Sequence, residues 1–172
     1  MNKVKIGYDL DGCIVDFVGG FFKWFGEPMP EILTWEQPFV NAHFREIAHN
    51  KEFWLGLKPL IDPSELKGIE PYAYITARPV DPHISFKWLE MNGFPTAPVF
   101  GVGSDGAQHD TKTDIIRELG INWFVDDKMQ HFQEINEQTD CTCFLMDRSW
   151  TQHEIAEPKI YNFQDIKFYL QQ

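Results

Sequence analysis

The chain has 172 residues, of which 43% are hydrophobic and 24% are charged, a balance typical of one folded domain and not of a disordered segment. Acidic residues outnumber basic ones by 26 to 15, which gives a formal net charge of −11. Because no run of Lys and Arg interrupts this acidity, stable nucleic-acid binding is not expected, whereas a small phosphate compound drawn to a metal ion is compatible with it.

The chain carries no signals for a membrane or for secretion. No apolar run reaches the roughly 18 residues that favour a spanning helix, and the N-terminus lacks the apolar stretch of a signal peptide. Cys13, Cys141 and Cys143 do not form a disulfide framework, and Cys-Thr-Cys lacks the spacing of a zinc site. We therefore expect a cytoplasmic protein. The number of chains that assemble is not determined, and a homodimer is compatible with the sequence.

Short apolar runs that end in turn residues predict buried strands. They cover residues 4–8, 72–75, 98–102, 123–125 and 142–146. Helix-like segments cover residues 83–92, 112–119, 129–138 and 163–170. Because strand and helix patterns alternate, we predict an α/β fold, a Rossmann-like, three-layer arrangement with a parallel sheet between helices.

Residues 17–58 break this alternation, since they have helix-like patterns and no convincing strand. Aromatic residues are concentrated there: Phe17, Phe21, Phe22, Trp24, Phe25, Trp35, Phe39, Phe44, Phe53 and Trp54. We predict that this segment is a small helical cap inserted after the first strand, with most of its rings forming its own interior. The core domain would then comprise residues 1–16 and 59–172.

Polar motifs follow several of the predicted strands. "DLDG" begins at Asp9 after the first strand, and "TARP" begins at Thr76 after the second. Lys112 opens the helix before the fourth strand, which ends on Asp126 and Asp127. Ligands bind outside the carboxyl ends of parallel strands, so this topology would collect the motifs at one edge of the sheet.

These residue types suit phosphoryl transfer. Asp9 could attack phosphorus if Mg²⁺ offset the charge repulsion, and Asp9, Asp126 and a backbone carbonyl near Asp11 are suitable oxygen ligands for that ion. Asp11 could protonate the leaving oxygen and then deprotonate the attacking water. The Thr76 hydroxyl and the Lys112 ammonium could hold the phosphate.

Taken singly, each motif has an ordinary structural explanation. "DLDG" could be a plain turn, Asp126-Asp127 a helix cap and Lys112 a solvated helix lysine. The triphosphate-loop, dinucleotide and G-x-S-x-G motifs are missing, and we interpret the six scattered histidines as structural or surface residues. The occurrence of all four motifs in order, at strand ends, favours a metal–phosphate site.

The four motifs resemble motifs one to four of the haloacid dehalogenase (HAD) superfamily of aspartyl-phosphate phosphatases. Within it, "DLDGCIVDFVGGF", "FWLGLKPL", "TKTDII" and "DRSW" are similar to the 5'(3')-deoxyribonucleotidase family. The resemblance implies a HAD-like core with a short cap and a bound Mg²⁺. It also implies that Asp9 is the nucleophile and Asp11 the acid/base, that Asp126 and the Asp11 carbonyl hold the metal, and that Asp127 steadies it through water.

The same resemblance implies a substrate site. Thr76, Ala77 and Lys112 would bind the phosphate, while Phe17 and the cap aromatics around Phe53 and Trp54 would surround a nucleobase.

Two positions depart from the family pattern. Ala77 stands where these nucleotidases often have Ser, and Asp110 stands where a basic residue often precedes the lysine by two positions. Arg78 could supply the missing positive charge, or it could be a surface arginine.

The sequence therefore predicts a Mg²⁺-dependent phosphatase that hydrolyses nucleoside monophosphates through an aspartyl-phosphate intermediate. One alternative is a phosphatase acting on the 3' ends of nucleic acids, and another is a non-catalytic binding protein that kept the fold. The preferred base and sugar, and the choice of 5' or 3' phosphate, are not determined.

Overall fold

The computed structural model describes residues 3–31, 33–34, 36–103 and 109–171, and its centre is a parallel sheet. The six strands are β1 (Ile6–Tyr8), β2 (Ala73–Thr76), β3 (Val99–Gly101), β4 (Trp123–Asp126), β5 (Thr142–Met146) and β6 (Lys159–Ile160). Their order across the sheet is β3-β2-β1-β4-β5-β6. The predicted α/β fold with a parallel sheet is confirmed, and β1 lies at its centre between β2 and β4.

Helices connect the strands. They are α1 (Phe17–Phe25), α2 (Pro38–Ile47), α3 (Lys51–Gly56), α4 (Pro82–Met91), α5 (Lys112–Leu119), α6 (Met129–Gln138) and α7 (Gln164–Tyr169), and a short 3₁₀ helix spans Pro63–Leu66. Local sequence explains their ends: the Thr111 hydroxyl accepts a hydrogen bond from the Asp114 amide at the start of α5, and Gly120 ends that helix in the left-handed region. Among the described helices, none has the length and apolar character needed to cross a membrane.

Alternating strand side chains form a separate apolar core on each face of the sheet. Tyr8 and Val125 pack on one face with α4, α7 and the helices of residues 17–58, whereas Ile75 and Phe124 pack on the other face with α5 and α6. Because both faces are covered, the strands are apolar on both sides, as the nearly continuous runs in the sequence indicate.

The sequence did not predict β6. This strand has only two residues at the edge of the sheet, and so short a segment carries no periodicity that could distinguish it from a loop.

The described part of residues 17–58 contains α1, α2 and α3 and no strand. Its two connections to the sheet run side by side, because the Asp16 amide donates to the Lys58 carbonyl at 2.9 Å and Val15 bridges to Pro59 in antiparallel fashion. Trp35, one of the aromatic residues assigned to this segment, lies outside the described residues. We call residues 17–58 the cap, and its role as a separate unit stays a prediction.

Candidate active site

The polar residues at the strand ends lie close together, as the topology predicts. Asp9 directly follows β1, Thr76 ends β2, Asp126 ends β4, and Lys112 is the first residue of α5. All four are buried. The Lys112 Nζ lies 3.0 Å from Asp9 Oδ1 and 2.7 Å from Asp126 Oδ2, so one ammonium group bridges two carboxylates from neighbouring strands.

The turn after β1 needs a glycine at position 12. Gly12 has φ +83°, and its amide donates to the Val15 carbonyl at 2.9 Å. A Cβ atom at this position would overlap the carboxylate of Asp127. Gly12 therefore allows both the backbone turn and the close approach of Asp127.

Lys112 and Asp126 form a buried ion pair. Burial lowers the pKa of Lys112, but the charges of Asp126 and Asp9 outweigh it and hold that pKa above its ordinary value. Burial raises the pKa of Asp126, but Lys112 and His131 outweigh it and leave that pKa below its ordinary range. Asp126 also accepts from the Lys128 amide at 2.9 Å and lies 3.1 Å from His131 Nδ1, so both of its oxygens have protein partners.

Asp9 and Asp127 are buried carboxylates, and the pKa of each is raised. Burial raises the pKa of Asp9 to about 6 although Lys112 opposes the shift. Burial, followed by the charges of Asp9 and Asp126, raises the pKa of Asp127 well above its ordinary value. Ligand atoms of Asp9, Asp127 and Cys13 lie within 4.8 Å of one another. A divalent cation between the two carboxylates would relieve this repulsion.

The donors fit Mg²⁺, which prefers oxygen ligands. Asp9 and Asp127 supply carboxylate oxygens at one place, whereas the oxygens of Asp126 are engaged with Lys112, His131 and a backbone amide. The expected division, with Asp126 as the direct ligand and Asp127 acting through water, stays a prediction. Cys13 is a softer donor, and burial raises the pKa of its thiol.

Side chains from the segment after β5 hydrogen-bond to Asp127 and to the turn that follows β1. The Trp150 indole donates to the Asp127 carbonyl at 3.1 Å and to its Oδ2 at 3.0 Å, and Arg148 Nη2 donates to the Cys13 carbonyl at 2.9 Å. Two side chains of the "DRSW" motif thus fix the Cys13 backbone and the Asp127 carboxylate through hydrogen bonds.

Asp11 is paired with Arg78. The guanidinium donates from Nε to Asp11 Oδ2 at 2.8 Å and from Nη2 to Oδ1 at 2.6 Å. Arg78 is only 2% exposed, so the alternative of a surface arginine is wrong.

A cavity of about 150 Å³ opens onto these groups, and we call it the strand-end cavity. It is lined by Asp9, Asp11, Phe17, Phe44, Trp54, Thr76, Ala77, Arg78, Lys112 and His131. The Phe17 and Trp54 rings are stacked at 15°, with centroids 5.7 Å apart. Phe53 is not one of the lining residues: it is 1% exposed, and its ring packs edge-on against Phe17 and Phe21 in the interior of the cap.

Sequence reasoning missed three residues of the site. His131 contacts Asp126 and lines the cavity from the first turn of α6, a position that its spacing of five from Asp126 could have indicated. Phe44 lines the cavity from α2, and the sequence did not distinguish it from the other cap aromatics. Trp150 lies within a motif noted only for its resemblance, and its donation to Asp127 depends on folding.

The comparisons with known proteins bear on the fold. No family model and no curated protein matches the chain. Among solved structures, an L-2-haloacid dehalogenase matches with a TM-score of 0.64 and 12% identity, covering 99% of both chains. A HAD-superfamily hydrolase, subfamily IA, variant 1, from Geobacter sulfurreducens PCA matches with a TM-score of 0.61 and 12% identity, covering 97% of this chain and 100% of that one. The chain therefore has the fold of the HAD-type hydrolases.

Proposed function

We propose that this protein is a Mg²⁺-dependent phosphatase of the HAD superfamily that hydrolyses small phosphomonoesters, with nucleoside monophosphates as the expected substrates. The observation that carries the proposal is the pair of buried carboxylates, Asp9 and Asp127, beside an ammonium group, Lys112, at the end of the central strand. This arrangement offers a nucleophile and a fixed positive charge that line one small cavity, with a candidate cation site beside the nucleophile.

Asp9 is oriented for attack through one oxygen. Its Oδ1 accepts from the Leu10 amide at 2.8 Å and lies 3.0 Å from Lys112 Nζ, which leaves Oδ2 to form the bond to phosphorus. Because the pKa of Asp9 is raised only to about 6, this carboxylate is largely ionised at neutral pH.

The reaction would proceed in two displacements. Asp9 bonds to phosphorus as the ester P–O bond breaks, and the leaving oxygen takes a proton from Asp11. Asp11 then removes a proton from water, which attacks the aspartyl phosphate, releases inorganic phosphate and regenerates the Asp9 carboxylate. Lys112 and Thr76 would stabilise the negative charge on the phosphoryl oxygens.

We assign the metal to Asp9 and Asp127, with the Asp11 carbonyl as a third ligand, and we assign Asp126 to Lys112. The bound ion would offset the charge repulsion between the carboxylate nucleophile and the phosphate. Trp150 and Arg148 would keep the ligands in place, as outer hydrogen bonds do at metal sites.

The substrate class is supported by the aromatic wall of the strand-end cavity. Phe17, Phe44 and Trp54 present flat apolar surface beside the phosphate groups, which suits a nucleobase. A second cavity of about 440 Å³ shares Ala77, Lys112 and His131 with the first, so there is space beyond the phosphate for the rest of a larger substrate.

The test is release of inorganic phosphate from nucleoside 5'- and 3'-monophosphates with Mg²⁺, for the wild type, Asp9→Asn and the control Asp140→Asn. Asp140 is an exposed aspartate, so its variant should keep full activity while Asp9→Asn loses it. Turnover of an aryl phosphate without turnover of nucleotides would support the phosphatase mechanism and rule out nucleoside monophosphates as the substrates.

Three other results would favour other functions. Salt-sensitive turnover of a 3'-phosphorylated oligonucleotide in preference to mononucleotides would point to nucleic-acid ends. Halide release from a 2-haloacid would point to the reaction named for one structural neighbour. Inactivity on every compound would favour a binding protein.

A further inference from the structure

We propose that Arg78 is a positioning residue that acts through Asp11, and that it does not bind the phosphate itself. The inference rests on the proposed phosphatase function and adds a residue to its acid/base step.

The first observation is the geometry of the pair. Two nitrogens of one guanidinium face the two oxygens of one carboxylate, at 2.8 and 2.6 Å, which is the bidentate arrangement that fixes both the position and the plane of a carboxylate. Each carboxylate oxygen has a second lone pair, so Asp11 can still take up or release a proton while it is paired with the Arg78 guanidinium.

The second observation is the exposure of the two partners. Both side chains line the cavity, but that of Asp11 is 20% exposed and that of Arg78 is 0% exposed, so the carboxylate presents more surface to an entering substrate than the guanidinium does.

The third observation is that the guanidinium is itself held on other sides. Its Nη1 donates to Ser85 Oγ at 3.2 Å, and its Cζ lies 4.9 Å from the centroid of the Trp54 ring. Trp54 is anchored in turn by donation from its Nε1 to the Ala48 carbonyl at 3.1 Å. A residue of the cap thus covers the arginine that orients Asp11, so the cap contributes to the acid/base step without contacting the reacting atoms.

The test is a double-mutant cycle with Arg78→Lys and Asp11→Asn. Lysine keeps the charge but not the planar fork, so Arg78→Lys should lower kcat on a nucleoside monophosphate by about 10- to 100-fold with little change in KM. In the Asp11→Asn background the same change should have less than about a twofold effect, because the residue through which Arg78 acts is already lost. A full additional loss in that background would overturn the proposal, as would a rise in KM with kcat unchanged.

The leaving group gives a second readout. Release of nitrophenolate in the first turnover needs no proton from Asp11, so the burst rate with nitrophenyl phosphate should be nearly the same in Arg78→Lys and the wild type. An equal loss on both substrates would contradict a role through Asp11. Arg45→Lys, the same change at an exposed arginine of α2, is the matched control and should behave as the wild type.

A third readout does not depend on activity or on whether Arg78→Lys folds. In a ¹⁵N spectrum of the wild type, the Arg78 Nε–H should give a signal protected from exchange that shifts in Asp11→Asn. Absence of such a signal would overturn the proposal. If the wild type cleaves no phosphomonoester, the proposed function fails and the spectrum alone decides whether Arg78 holds Asp11.

Discussion

The Lys112 ammonium group balances two buried carboxylates, so its removal should destabilise the folded protein. Its ammonium group lies 3.0 Å from Asp9 and 2.7 Å from Asp126, and all three groups are buried. In Lys112→Met the side chain still fills the space, but two carboxylates remain in a poorly solvated site without their cation. Removing one partner of a buried ion pair typically costs about 3–5 kcal/mol.

The lower free energy of unfolding of Lys112→Met should be visible in chemical and thermal denaturation without Mg²⁺. For a domain of this size, about 3–5 kcal/mol corresponds to a fall in Tm of about 6–20 °C. Added Mg²⁺ should restore part of it, since a ligand at about 100 times its Kd stabilises the folded state by about 2.7 kcal/mol. The loss should also be smaller at pH 5 than at pH 8, because protonation of Asp9 removes one of the unpaired charges.

Lys87→Met is the matched control, since Lys87 lies exposed on α4. It should change the free energy of unfolding by less than about 0.5 kcal/mol. A loss below about 1 kcal/mol for Lys112→Met, equal with and without Mg²⁺, would show that the ammonium does not hold the two carboxylates together.

Three further predictions concern the metal site. Gly93→Ala should cost about 1–2 kcal/mol because this glycine has positive φ, and Gly12→Ala should cost more because its added Cβ would also overlap Asp127. Only Gly12→Ala should weaken Mg²⁺ binding in calorimetry. Trp150→Phe should weaken Mg²⁺ binding about 10- to 100-fold by removing the donor to Asp127, with wild-type affinity as the contradicting result. The folded state holds the proton of Asp9 more tightly than the unfolded state, since the pKa rises from 3.8 to about 6. Without Mg²⁺, Asp9 should therefore lower the free energy of unfolding by about 3 kcal/mol as pH rises from about 4 through 6, and Asp127, whose pKa is also raised, should add to the fall. Mg²⁺ affinity should increase over the same range, and urea denaturation that is flat across it would contradict the assignment.

The sequence by itself determined the class of fold and the place of the site. Apolar runs and the turn residues that end them are local signals, and their alternation with helical segments leaves few arrangements other than a covered parallel sheet. Acids at the ends of β1 and β4, with a lysine at the start of α5, then meet at one edge for reasons of topology alone.

The tertiary structure decided which atoms pair. Asp126 and Asp127 are neighbours in sequence, yet Asp126 pairs with Lys112 and Asp127 lies beside Asp9. The partner of Arg78 is equally undetermined by sequence, because 67 positions separate it from Asp11. Local sequence sets which residues reach the end of a strand, but the direction of each side chain, and therefore its partner and its chemistry, depends on packing against segments far away in the chain.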